Sequence, residues 1–351
     1  MRIKKSSAAR LTLVLTAIIW GAGFVFSQAA LDVGFGPAGL MLVKFGLASV
    51  LVGIIFRRAV RRGFVERNKK SIRGAFILGV TLAFSFLAQT LGLMLSTPSN
   101  NALITAAYVV ITPFLWRLAF RKKPHRAAYV ASVICFIGVA ALSLDFSGGL
   151  SFRAGDLWTL LCAVFFAGQI VATEALVGEM EHGFLLFIEI TTAALTTLVL
   201  ALVARFVSEI SPGTSGILQA LMVTPRDFYA LITPMGIACV AFLGVLSTGL
   251  CYVMQTSAQR YVSSGAASII LSMEALFGAV FSVIIGYDEL SPRLVLGGGL
   301  ILASVMLGEI VGIRSARREG AGQNTADSAH AADSGANDSV HGGEVSITTT
   351  P

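Results

Sequence analysis

The run 74–95, GAFILGVTLAFSFLAQTLGLML, decides the fold class of this 351-residue chain. It contains no charged residue and is long enough for a helix to cross the roughly 30 Å hydrocarbon core of a bilayer. The whole chain has the same character, with 55% hydrophobic residues, 13% charged residues and a mean hydropathy of +0.81. Because the apolar residues form continuous runs and do not alternate, the sequence predicts an all-α integral membrane protein and excludes a transmembrane barrel.

Ten apolar runs predict ten transmembrane helices. They cover residues 11–31, 38–56, 74–95, 99–119, 127–144, 156–177, 183–204, 230–256, 265–286 and 294–313. If the N-terminus is cytoplasmic, 21 of the 26 Lys and Arg residues fall on the cytoplasmic side, and four fall on the opposite side. Loops rich in Lys and Arg stay in the cytoplasm. We therefore expect both termini to be cytoplasmic.

Two short matches predict an internal repeat. Gln89-Thr90 reappears 166 residues later as Gln255-Thr256, and the turn at Pro124 resembles the turn at Pro292, 168 residues later. Five helices per repeat is an odd number, so the second repeat is inverted, which is the architecture that supports alternating access. The alternative is chance similarity between apolar helices. The predicted divisions are a cytoplasmic N-terminus (1–10), a first five-helix repeat (11–144), a second five-helix repeat (156–313) and a disordered cytoplasmic tail (314–351).

Polar side chains recur along one face of six predicted helices. Such groups gain nothing from facing lipid. For any single Ser or Thr, a role in holding helices together is the alternative. Larger polar side chains are better explained by a polar cavity between the helices. We expect a substrate-binding role for Trp20, Gln89, Asn101, Tyr108, Gln169 and Gln255.

Glu274 lies ten residues into the ninth run, close to the middle of the bilayer. A carboxylate at that depth is costly unless it is protonated, paired or facing water. Glu274 is therefore the candidate for proton coupling or for contact with a cationic substrate, and a structural hydrogen bond is the alternative. Lys44 and Glu189 lie about two turns from the ends of their runs, from where long side chains can reach the interface.

Several short motifs resemble the EamA-like family of the drug/metabolite transporter superfamily. Trp20-Gly21-Ala22-Gly23-Phe24 resembles the WGxxF start of that family, and residues 107–113 resemble its span 4 motif. Further similar stretches are Gly155-Asp156, 255–260 and 286–293. Lys44 and Ala275 stand where the family usually has Arg and Pro. The resemblance implies a carrier in the plasma (inner) membrane that exports or exchanges a small metabolite, amino acid or drug-like solute.

Other function classes find little support in the sequence. HExxH, GxSxG and P-loop motifs are absent, so we expect neither an enzyme nor direct ATP coupling. The basic residues lie in short loops, which argues against nucleic acid as a partner. The four cysteines form no CxxC pair, so we expect no metal site and no cofactor. The expected partners are a small-molecule substrate and the lipid bilayer. A non-transporting sensor or scaffold is the alternative function, and a homodimer is left open.

Overall fold

The computed structural model describes residues 2–66, 68–121, 154–211 and 216–304, together with 130–131, 133–134, 137–138, 141 and 306–307. All regular structure in this part of the chain is helical. The helices are α1 (Arg2–Asp32), α2 (Pro37–Ile55), α3 (Arg57–Glu66), α4 (Lys69–Met94), α5 (Pro98–Thr105), α6 (Tyr108–Phe120), α7 (Ala154–Leu176), α8 (His182–Ile210), α9 (Ile217–Ala220), α10 (Pro225–Ile232), α11 (Pro234–Ala241), the π-helix α12 (Phe242–Leu250), α13 (Cys251–Gln259), α14 (Ser264–Leu271), α15 (Met273–Ile285) and α16 (Pro292–Ser304).

Eight helical segments are long and apolar enough to cross a membrane, and they coincide with eight of the ten predicted spans. Of the other two, 127–144 lies largely outside the described residues, and 294–313 is represented by the shorter apolar helix α16. The predicted tail, 314–351, also lies outside the described residues.

Local chemistry explains several helix starts. Asn68 accepts hydrogen bonds from the backbone N–H groups of Lys70 and Ser71, so α4 begins five residues before the predicted span. Pro37 and Pro98 occupy the first turns of α2 and α5, where a missing N–H costs nothing.

Two spans are broken in the middle. The span made of α5 and α6 is interrupted at Ala106-Ala107, and the span made of α14 and α15 is interrupted at Ser272. The start of the first break and Ser272 are 166 residues apart, the same spacing that separates Gln89 from Gln255. At both positions the backbone stays in the right-handed helical region, and N–H groups bond to carbonyls three residues back, Ala107 to Ile104 and Ala275 to Ser272. Each break is therefore a tightened turn within its span.

Helices from the two halves of the chain pack mainly against each other. α1 contacts α12, α13, α14 and α15; α2 contacts α8 and α12; α4 contacts α7 and α8; α5 contacts α7 and α15; α6 contacts α7 and α14. Small residues allow the closest approaches. A Cβ at Gly79 of α4 would collide with the backbone carbonyl of Glu189 in α8, and one at Gly244 of α12 would come within 2.9 Å of Leu47 in α2.

Polar contacts mark the two ends of the helix bundle. At one end, called the Asp32 end, the Tyr287 hydroxyl donates to Asp32 over 2.8 Å and Gly36 N–H donates to Asp227 over 2.7 Å. Burial and the Asp32 carboxylate raise the pKa of Tyr287 to about 12. At the other end, called the Arg57 end, α2 gives way to α3. The exposed basic residues at that end are Arg57, Arg58, Arg61, Arg62, Lys69, Lys70 and Arg73.

Candidate functional site

One cavity between the helices brings together all seven side chains that the sequence singled out. They come from seven different helices: Trp20 (α1), Gln89 (α4), Asn101 (α5), Tyr108 (α6), Gln169 (α7), Gln255 (α13) and Glu274 (α15). The space open to the centres of water molecules is about 40 Å³, which holds roughly three waters at about 10–15 Å³ each. In this conformation the cavity must widen before it can accept a metabolite.

Asn101 has a fixed orientation in the cavity wall. Its Nδ2 donates to the backbone carbonyl of Gln89 over 3.1 Å and to the Thr159 hydroxyl over 2.8 Å. The carbonyl can only accept, and the Thr159 hydroxyl already donates to the Gly155 carbonyl, so the amide cannot be reversed. The other atom of the amide, the acceptor Oδ1, is also buried, and it has no hydrogen-bond partner in the described structure. A buried acceptor of this kind is costly until a donor reaches it.

A chain of amides closes the wall between α7, α8 and α13. Gln169 Nε2 donates to Glu189 over 2.9 Å, and Gln255 Nε2 makes a longer contact of 3.4 Å with Gln169 Oε1. Both glutamines are buried. This series of hydrogen bonds ends at Gln255 Oε1, which is a second unpaired acceptor in the described structure. Both unpaired acceptors belong to residues that line the cavity.

Glu274 lies in the first turn of α15, directly after the break at Ser272, and only 5% of its surface is exposed. Its carboxyl group lies beside the hydroxyl of Tyr108, which begins the helix after the other break. The Tyr108 hydroxyl forms no well-aligned hydrogen bond in the described structure. The two breaks thus bring an acid and a phenol together at the cavity, where the pair can exchange a hydrogen bond with each other or with a solute.

Trp20 presents its ring, and not its N–H group, to the cavity. Nε1 donates over 2.7 Å to the backbone carbonyl of Ser247 in the π-helix α12. The indole lies with its centre 5.5 Å from that of Tyr252. Because the only polar atom of the indole already donates to Ser247, a solute would meet an aromatic surface here.

Two charged residues lie deeper than their positions in the sequence suggest. The positions of Lys44 and Glu189 in their runs would let both side chains reach the interface, but the structure buries them, with exposed fractions of 3% and 0%. Lys44 lines the cavity, and Glu189 is held behind the wall by Gln169. In the sequence, the only sign that these two residues have a special environment is a charge within an apolar run. Snorkelling depends on whether a neighbouring helix covers the side chain, and that is a tertiary property.

Phe86 also lines the cavity, although nothing in the sequence singled it out. Its ring makes edge contacts with Phe45 and Phe166, with centroid distances of 5.4 and 5.1 Å. An apolar residue in an apolar helix carries no signal by itself.

Cysteines and acidic groups do not form a metal site in the described structure. Among those residues, no three His, Cys, Asp or Glu side chains come close enough together to hold a metal ion. Cys162, Cys239 and Cys251 are buried and free, and Cys135 lies outside the described residues.

The chain is similar to known membrane transporters along most of its length. The EamA-like transporter family matches residues 8–144 and 153–308. An "uncharacterized transporter" of Archaeoglobus fulgidus is 26% identical over 299 residues, which cover 85% of each chain. The "uncharacterized transporter YyaM" of Bacillus subtilis is 22% identical over 81% of this chain and 88% of its own. A solved crystal structure superposes with a TM-score of 0.59 at 18% identity, covering 88% of this chain and 98% of its own, which shows a shared fold.

Proposed function

Because the chain belongs to the EamA-like transporter family, we propose that it is a secondary transporter that exports or exchanges a small metabolite, amino acid or drug-like solute by alternating access. The coarser description is established: the chain is a multi-pass membrane transporter and not an enzyme. The observation that carries the proposal is the cavity to which seven helices contribute the polar side chains described above.

An inverted repeat of five plus five helices is supported by the packing. Exchanging the first four spans with spans six to nine leaves the set of major contacts unchanged: α4 on α8 corresponds to α12 on α2, and α5 on α7 corresponds to α15 on α1. Gly79 against α8 corresponds to Gly244 against α2, and the two helix breaks correspond to each other. The proposed repeats are 11–144 and 156–313, flanked by a cytoplasmic N-terminus and a cytoplasmic tail from 314.

Alternating access follows from this symmetry. If the two repeats exchange conformations, the cavity that now reaches towards Ser27 and Leu93, near the Asp32 end, would close there and open towards the Arg57 end. The basic Arg57 end is the proposed cytoplasmic face.

Within this proposal Glu274 carries the coupling proton. It is the acidic side chain that lines the cavity, and its neighbour Tyr108 can donate a hydrogen bond to its charged form. Trp20, Gln89, Asn101, Tyr108, Gln169 and Gln255 are the proposed substrate-binding residues.

Proton-driven flux tests the role of Glu274. A thermal-shift screen would first identify a metabolite that stabilises the purified protein, and its uptake into vesicles would then be measured with and without a pH gradient. Glu274→Gln keeps the shape and the hydrogen bonding but cannot titrate. We expect it to express normally and to lose the gradient-driven part of the flux.

The matched control is Glu289→Gln, which makes the same change at an exposed position before α16 and should transport like the wild type. Equal gradient-driven flux in wild type and Glu274→Gln would eliminate Glu274 as the proton site. If no stabilising compound crosses the vesicle membrane, a sensor or scaffold becomes the better description.

A further inference from the structure

Lys44 is a buried lysine in the cavity wall. Its exposed fraction is 3%, and its ammonium group lies 3.6 Å from the centre of the Phe86 ring and 5.2 Å from that of Phe45. Within the described part of the chain, no carboxylate lies at ion-pair distance from Lys44. The ammonium therefore sits on an aromatic face with its N–H donors unmatched by an anion.

The aromatic contact holds the ammonium but does not replace an anion. A ring attracts a cation through its quadrupole, whereas an ionised group taken out of water needs a counter-charge and hydrogen bonds. Phe86 itself makes edge contacts with Phe45 and Phe166, which hold the ring that the ammonium faces. An anion that entered from the cavity would supply both the counter-charge and the hydrogen bonds.

The described acidic side chains around the cavity contact other groups. Glu274 lies beside Tyr108, and Glu189 accepts a hydrogen bond from Gln169 behind the wall. Cys162, another buried neighbour of Lys44, is a thiol. Asn101 and Gln255, whose buried Oδ1 and Oε1 atoms have no hydrogen-bond partner in the described structure, line the same cavity.

We propose that Lys44 binds the negatively charged group of the transported solute, so that the substrate is a small organic anion that also carries N–H or O–H donors. The anion pairs with Lys44, and the donors satisfy Asn101 and Gln255. This inference rests on the proposed transport function and adds the charge of the substrate to it.

Binding to purified protein tests the proposal without requiring transport. The probes are small carboxylates, phosphate monoesters and sulfonates, each compared with its neutral amide or ester, and the readout is the thermal shift. We expect at least one anion to stabilise the wild type and its neutral counterpart to have little effect. The class of anion that stabilises the protein identifies the charged group.

Variants then assign the anion to Lys44. Lys44→Met should weaken anion binding by about thirtyfold or more, since it removes one partner of a buried charge pair. Lys44→Arg keeps the charge and should retain most of the binding. The matched control, Lys70→Met, changes an exposed lysine of α4 and should bind like the wild type. Without ligand, Lys44→Met should melt no lower than the wild type, because it removes an unpaired buried charge.

A second measurement needs no substrate. The chain has three tryptophans, so a background with Trp116→Phe and Trp158→Phe leaves Trp20 as the reporter in the cavity. Iodide, an anion, should quench Trp20 less in Lys44→Met than in the Lys44 parent, while quenching by neutral acrylamide should stay the same. Unchanged iodide quenching, or anion binding that survives in Lys44→Met, would overturn the anion site. A protein that binds anions but shows no flux would contradict only the transport function.

Discussion

Gly79 shows how one missing Cβ controls the distance between two helices. A methyl group there would collide with the backbone carbonyl of Glu189 and the side chain of Thr192. Because the carbonyl belongs to the α8 backbone, α4 and α8 would have to separate. We expect Gly79→Ala to destabilise the protein by about 1–3 kcal/mol, measured by thermal melting in detergent. The matched control is Gly46→Ala in α2, where a Cβ would meet nothing within 4 Å and helix propensity should add up to about 1 kcal/mol of stability. Equal melting temperatures for the two variants would contradict the packing argument.

The π-helix α12 connects α11 to α13, the helix that carries Gln255. A π-helical turn holds an extra residue relative to an α-helix and is frequent at functional sites. α12 contains Ser247, whose carbonyl anchors Trp20. Deleting the exposed residue Val245 should restore α-helical geometry and keep the register on both sides, so the variant should still elute as a folded species on size exclusion. Deleting Val253 in the regular helix α13 should rotate Gln255 out of the cavity wall and abolish folding. If the Val245 deletion aggregates as strongly as the Val253 deletion, the π-helix does not act as a removable insertion.

The orientation of the whole molecule follows from its charge distribution. The exposed basic residues at the Arg57 end predict that this end faces the cytoplasm. Reporter fusions at Gly213 and after Arg318 should therefore report opposite sides, since the first follows α8 at the Asp32 end and the second follows the last predicted span. A phosphatase reporter should be active at Gly213, and a fluorescent protein should be active after Arg318. Signals from the same side at both positions would contradict the orientation and the inverted repeat together.

The sequence by itself determined the membrane class, the positions of eight described spans and the polar side chains that meet in the cavity. These properties are readable because hydrocarbon tolerates few polar groups, so each long polar side chain within an apolar run needs a partner or a cavity. Their roles in binding and proton coupling stay predictions. The described residues cover only parts of the other two predicted spans, 127–144 and 294–313.

Only the tertiary structure decided where the buried charges lie and which polar atoms remain unpaired. Lys44 and Glu189 occupy similar places in their runs, yet Phe86 covers the first at the cavity and Gln169 bonds to the second behind its wall. The orientation of Asn101 depends in the same way on Thr159, 58 residues away. Hydropathy and spacing describe one helix at a time, whereas the environment of a charge is set by side chains from other helices.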